Sequence, residues 1–174
     1  MEGVVKFIVE QLERNGDISI SEARDLLINL DNRSAEDFDD FLLSEGLVSK
    51  AKLLKALSQV YDIPYFDVVG YFFDHDLLQH FPEDFLFTNN IIPIQQDGDV
   101  LTIVASEPDN PKLRERISEY SNSAIEFRVG LTRDIQDAIR EYYDSSITED
   151  FVAEDEDIFE TPSKLRQEDE DSYE

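Results

Sequence analysis

The groups in this chain that could do chemistry are few and poorly spaced for it. His75 and His80 are five residues apart, whereas two ligands on one helix face stand three or four apart. With no cysteine to join them, they read as ordinary surface or boundary histidines. The six glycines stand singly at 3, 16, 46, 70, 98 and 130. No glycine-rich loop can therefore offer successive backbone N–H groups to a phosphate, and the Walker A pattern is missing. Gly-x-Ser-x-Gly is missing as well, so there is no nucleophile elbow. Carboxylate pairs such as Asp39–Asp40 and Glu107/Asp109 are expected by chance where 41 residues are acidic. Lys50, Lys52 and Lys55 form a local basic cluster, which reads as a solvated helix face. The expectation is a non-enzyme with no catalytic residues, no cofactor and no metal.

Charge narrows the partners. The formal net charge is −26 over 174 residues, which argues against nucleic acid or an anionic membrane as a direct partner, because phosphate binding needs clustered Lys and Arg. The absence of cysteine excludes disulfides and fits a reducing compartment. No apolar run approaches the roughly 20 residues that span a bilayer, and the start Met-Glu-Gly-Val-Val-Lys lacks the features of a secretory signal. A cytoplasmic location is expected.

The elements follow from periodicity. Val5, Ile8, Val9 and Leu12 make the stripe of a first helix over Val4 to Asn15, which Gly16 stops. Ser19-Ile-Ser-Glu22 is a capping box that starts a second helix with Ala23, Leu26, Leu27 and Leu30 inward. Ser34 with Asp37 opens a third, using Phe38, Phe41 and Leu42, and Ser49 begins a fourth with Leu53, Leu57 and Val60. Leu12-x-x-x-Gly16-x-Ile18-Ser19 recurs thirty residues on as Leu42-x-x-x-Gly46-x-Val48-Ser49. This predicts two helix-turn-helix units that bury each other's apolar stripes. Asp62-Ile-Pro-Tyr-Phe-Asp67 then breaks the helix, since a residue before proline avoids the α region.

Downstream, short helices over Asp74 to His80 and Pro82 to Phe87 lead into Ile91–Ile94 and Val100–Val104, strand-like runs around Asp97-Gly98. Asp-Gly between such runs signals a hairpin, because Gly98 accepts positive φ. Asn110-Pro111 predicts an N-cap with proline at the first helical position, and Leu113, Ile117 and Tyr120 share that helix's face. Ala124 to Val129 alternates as a half-exposed strand. Gly130 turns the chain, Thr132 caps, and Ile135, Ala138, Ile139 and Tyr142 line a last helix. The fold class is α+β, with a tandem-repeat helical part over 1–63 and a β-β-α-β-α part over 64–143 that holds a small three-stranded sheet. Residues 144–174 carry 13 acidic residues against Lys164 and Arg166 and read as a disordered acidic tail or linker. Phe151, Ile158 and Phe159 within it could serve as a docking peptide.

Five pieces in order resemble a known family. They are Leu42-x-x-x-Gly46-Leu-Val-Ser49-x-x-x-Leu53-x-x-Ala56-Leu57; Tyr61-x-Ile-Pro64-Tyr-x-Asp67; Phe81-Pro82-Glu83; Ile92-Pro93-Ile94 through Asp97-Gly98, Leu101, Val104-Ala105 and Pro108; and Asp134-Ile135-x-x-Ala138-Ile139-x-x-Tyr142-Tyr143. Together they resemble the N-terminal domain of the type II secretion and type IV pilus assembly ATPases (the GspE/PilB type), over about residues 35 to 143 with an extension back to Val4.

The resemblance implies an adaptor or regulatory domain that docks a motor onto inner-membrane assembly proteins. Either the chain is a fragment of a longer ATPase or it stands alone and works with partners. Some family members bind cyclic di-GMP, through an Arg-Leu-Gly before the leucine of Leu-x-x-x-Gly and a glutamine on the next helix. Set on this sequence, those positions are Asp37, Phe38 and Asp39 in one repeat, Phe7, Ile8 and Val9 in the other, and Val60, beside Gln59. No cation is among them, so a site for that ligand would have to come from Arg14, Arg24, Arg33 or the Lys50–Lys55 cluster. Three readings follow: a protein-binding module of a secretion or pilus machine, a cyclic-dinucleotide sensor, and an acidic adaptor unrelated to secretion.

Overall fold

The computed structural model describes residues 2–29 and 35–154, with side chains described over 3–29 and 37–145. Its elements are α1 (Glu2–Arg14), α2 (Ile20–Ile28), α3 (Ala35–Ser44), α4 (Lys50–Tyr61), α5 (His75–Leu78), α6 (Glu83–Asn89), β1 (Ile91–Asp97), β2 (Val100–Ala105), α7 (Leu113–Ser118), β3 (Ala124–Val129) and α8 (Thr132–Glu154). The expected Ser34 cap, the inward Leu30, Arg33 and the tail beyond Glu154 lie outside the described residues.

The internal repeat is built twice with the same hydrogen bonds. After α1, Gly16 takes φ +75°, its N–H donates to the Glu13 carbonyl, and Asp17 N–H reaches back to Leu12. After α3, Gly46 takes φ +66°, donating to Leu43 while Leu47 N–H reaches Leu42. Both are Schellman endings, which need a residue free to adopt left-handed φ. Ile18 and Val48 each plug the turn at 5% exposure. Ser19 and Ser49 follow with near-identical backbone angles, each accepting from the third helical N–H. At Ser19 the box is reciprocal, Glu22 accepting from the Ser19 N–H at 2.7 Å. Lys52 stands at the equivalent place after Ser49 and cannot do so.

Val5, Ile8, Val9, Leu12, Phe38 and Leu42 are buried against Leu53, Leu54, Ala56 and Leu57 of α4, which α1 crosses. One expected core residue is not there. Leu27 is exposed, because adjacent Leu26 and Leu27 project about 100° apart on a helix. Ala23 and Leu26 take the inner stripe.

The sheet has order β1-β2-β3, with β1 antiparallel and β3 parallel to β2. Gly98 turns the hairpin at φ +57°. In β1 the register slips between Pro93 and Gln95, which leaves Ile94 as an extra residue. A proline belongs on such an edge strand, where its missing N–H faces away from the ladder. The sheet packs its apolar side chains against α5, α6, α7 and α8. Phe127 and Val129 are buried on β3, as alternation predicts, while Glu126 is exposed.

Several boundaries differ from expectation, among them the end of α7 at Ser118, short of Tyr120, and three have a local cause. α7 begins at Leu113 rather than Pro111, because the Asn110 side chain accepts from Lys112 N–H at 3.1 Å and makes a separate turn first. Thr132 is the first residue of α8 rather than its cap, and is buried. α8 also runs past Tyr143 to Glu154. A helix already nucleated by packing propagates until something stops it, and no glycine or proline occurs before Pro162.

The helical and α/β parts share a wall. Val129 and Leu131, beyond the expected division, pack into the helical cluster, and Ile63 touches both clusters. Pro64 to Phe66 runs beside the end of β3: Val129 N–H donates to Pro64 and Phe66 N–H to Val129, each at 2.9 Å.

Candidate functional site

Among the described residues, the repeat positions singled out by the resemblance hold no cation. Phe38, Ile8 and Val9, three of the positions singled out by the resemblance, are at most 1% exposed and fill the helical core. Val60 packs on the same cluster. Gln59 lies on the surface, where its side-chain oxygen accepts from Asn15 at 2.7 Å and from Gln11 at 3.3 Å. Phe7 is half exposed and carries no polar group. Asp39 joins Glu107 and Asp109 around Tyr61, whose phenol is pushed up first by burial and then by these three carboxylates. Of the acid pairs read as chance in the sequence, Asp39, Glu107 and Asp109 thus act on one phenol, while Asp40 pairs with Arg133 at 3.5 Å.

The lysine cluster is partly absorbed by structure. Lys50 reaches Asp134 of α8 at 2.8 Å and Asp67 at 3.7 Å, tying α4 to both. Burial alone would lower its ammonium, but Asp134 and Asp67 more than offset this and hold it above its ordinary value. Lys52 pairs with Asp17 at 3.4 Å across the repeat. Lys55 is exposed. Arg14 and Arg24 are exposed on separate helices. The two histidines do not converge: His75 bonds Tyr142 Oη through Nδ1 at 2.5 Å and contacts Gln79, while His80 lines a different surface. Among the described residues no group of three His, Cys, Asp or Glu could hold a metal ion.

The surface that the reading of the sequence passed over is the loop over residues 67–73. Asp67 caps it by accepting from Val69 N–H at 3.1 Å, Gly70 turns it at φ +74°, and Tyr71 N–H closes on Val68. The Tyr71 ring meets Phe66 and Phe73 edge-on at 5.2 and 5.1 Å, and its hydroxyl donates to the Ile94 carbonyl at 2.9 Å. Between these fixed points Phe72 projects at 95% exposure beside Val69 at 62%. Leaving a phenylalanine in water forgoes roughly 1.5–3 kcal/mol of burial.

A groove of about 590 Å³ runs between this loop and α8. Its floor includes Val68, Phe73, Ala138 and Tyr142, and its α8 rim carries Asp134, Asp137 and Glu141. The run Val69-Gly-Tyr-Phe-Phe73 was the available signal: apolar, interrupted by glycine, and placed in a connection rather than an element.

Tyr142 and Tyr143 hold α8 against α5 and its exit. Tyr143 donates to Phe81 O at 2.7 Å, and its phenol is pushed up to about 12 by burial, then by Tyr142 and Glu83.

Comparison with known proteins places this architecture. No curated protein sequence matches the chain. The solved structure of MshE with cdg shares the fold at TM-score 0.62 and 24% identity, covering 78% of this chain and 98% of that one. The N-terminal domain of XpsE does so at TM-score 0.55 and 19% identity, covering 79% and 94%. The model of the MshEN domain matches residues 48–149, from the second repeat turn through the sheet and into α8. That span is more than half of the chain and holds the ordered motifs of Tyr61–Asp67, Phe81–Glu83, Ile92–Pro108 and Asp134–Tyr143, so this chain belongs to the MshEN domain family, the N-terminal domain type of the secretion and pilus assembly ATPases.

Proposed function

We propose that this chain is a non-catalytic adaptor domain of a type II secretion or type IV pilus assembly system, one that binds partner proteins of the machine on the cytoplasmic side of the inner membrane. The observation that carries the reading is the MshEN match over residues 48–149. The residue inventory supports it: the 174 residues contain no phosphate-cradling loop and no nucleophile elbow. No described helix is long and apolar enough to cross a membrane. The net charge of −26 favours a basic partner surface, since complementary fields speed encounter.

The test is co-purification of the full chain with the inner-membrane assembly proteins of its own organism, scored at low and high salt. Capture that weakens as salt rises is the expected result, screening acting over about 10 Å at 0.1 M. No capture at any salt would sink the reading. Titration with Mg-ATP should be flat, and turnover in a clean preparation would overturn the non-enzymatic role.

A cyclic-dinucleotide sensor is the second reading, favoured by the likeness to MshE, which was solved with cdg. The repeat positions argue against it here, because Asp37, Phe38, Asp39, Phe7, Ile8 and Val9 supply no cation.

A further inference from the structure

We propose that the groove between the 68–73 loop and α8 is the docking site for a basic amphipathic helix of a protein partner, with Phe72 as its apolar anchor. This rests on the adaptor reading and assigns it a surface.

Three features of the groove select that occupant. The first is rigidity. The loop that presents Phe72 is held by the Tyr71 hydroxyl on Ile94, by the Tyr71 ring edge-on to Phe66 and Phe73, and by the Asp67 cap on Val69. A side chain presented from a backbone already held in place binds with less loop ordering than one on a mobile loop, which is what an anchor residue needs. The second is layout. Apolar Val68, Phe73 and Ala138 lie between an aromatic rim and the α8 rim, and an amphipathic helix presents an apolar row flanked by charge in the same way. From Asp134 to Ser145 the α8 wall is about 16 Å long at 1.5 Å per residue, room for about three turns. The third is charge. Asp134, Asp137 and Glu141 line the groove with no cation among the lining residues. Lys50 pairs with Asp134 and Arg140 with Asp137, which leaves Glu141 at the exposed end as the strongest attraction for Lys or Arg.

The same charge disfavours other occupants. A second copy would bring another −26, an anionic bilayer would be repelled, and the tail around Phe151, Ile158 and Phe159 is itself acidic.

The test uses the full chain and a dye-labelled Leu/Lys peptide patterned as an amphipathic helix, beside a scrambled peptide of identical composition. Anisotropy titrations should show the patterned peptide binding at least tenfold more tightly than the scrambled one. Phe72→Ala should weaken it by about tenfold or more, as loss of an anchor does, and Glu141→Lys should weaken it while flattening its salt dependence. Amide shifts on binding should map to Val69–Phe73 and Ala138–Tyr142.

Equal binding of both peptides would mean undirected attraction to an acidic protein and would overturn the assignment. So would no binding, or patterned binding that ignores Phe72→Ala and maps elsewhere. Sedimentation with phosphatidylcholine vesicles that depends on Phe72 would make the loop a membrane anchor instead. If alanines at Phe151, Ile158 and Phe159 are needed before the peptide binds, the tail is the occupant and the proposal fails. Repeating the co-purification with Phe72→Ala separates the two ideas. A partner retained by that variant keeps the adaptor role and rejects this surface, whereas absence of any partner alongside Phe72-dependent peptide binding does the reverse.

Discussion

The Tyr71 hydroxyl donates to the Ile94 carbonyl at 2.9 Å, and Ile94 is the residue that the β1 bulge leaves without a place in the ladder. An edge strand that slips by one residue frees a carbonyl, and a loop 23 residues earlier uses it. Tyr71→Phe keeps both ring contacts and removes this bond alone. It should cost about 1 kcal/mol in denaturant unfolding and speed amide exchange at Val69 to Phe73. Unchanged exchange in the loop would show that ring packing alone holds it.

Gly130 sits where β3, the Pro64–Phe66 segment and α8 converge. A Cβ there would lie 2.6 Å from Val104 Cγ1, 3.3 Å from the Phe66 carbonyl and 3.4 Å from Ile135 Cδ1. Val104 is fully buried on the central strand and cannot yield. Gly130→Ala is expected to destabilise by about 1–3 kcal/mol through overpacking. Adding Val104→Ala should recover part of that loss, so the pair should be less destabilised than the two single changes summed. Strict additivity would place the strain elsewhere.

Ser19→Ala and Ser49→Ala should each lower stability by about 1 kcal/mol, the usual value of an N-cap. Only the first also breaks a reciprocal bond. Hydrogen bonds from the Ser19 backbone and then its side chain hold the Glu22 carboxyl below its ordinary 4.5. Its stabilising contribution is therefore present above pH 4.5 and lost as pH falls through the depressed folded value. Stability followed from pH 6 to pH 3 should decline less steeply in Glu22→Gln than in the parent. Identical slopes would remove Glu22 from the acid response.

What the sequence made legible was local chemistry. Gly16 and Gly46, Ser19 and Ser49, and Gly98 announced their turns because a cap or a left-handed φ is decided within a few residues. The α+β class followed from where the apolar period changed. The misses depended on distant partners or on neighbours competing for one place. Leu26 and Leu27 could not both face inward. Asn110 bonded Lys112 before any helix began. α8 ran on because nothing stopped it. The presentation of Phe72 hangs on a bond from Tyr71 to a strand bulge, and the tethering of Lys50 needs Asp67 and Asp134. None of these is periodic, so pattern reading passes over them.

The family resemblance invites a trial with cyclic di-GMP, and the expected result is no binding. Recognition of a dianionic ligand needs donors that pair with its phosphates or guanine edges, with arginine supplying a planar fork. In one repeat those places hold Phe7 on the surface and Ile8 and Val9 in the core. In the other they hold Asp37 and Asp39 around the buried Phe38. Asp39 also acts with Glu107 and Asp109 in raising the Tyr61 phenol. Gln59 is engaged with Asn15 and Gln11, and Lys50 and Lys52 are committed to carboxylates. Each missing charge-assisted hydrogen bond costs about 1.5–3 kcal/mol, and two or three of them remove any useful affinity. Calorimetric titration of the full chain should therefore show no heat at micromolar ligand. If binding does appear, Asp37→Arg and Lys55→Ala will locate it: strengthening by the first marks the repeat face, and loss by the second marks the exposed end of α4.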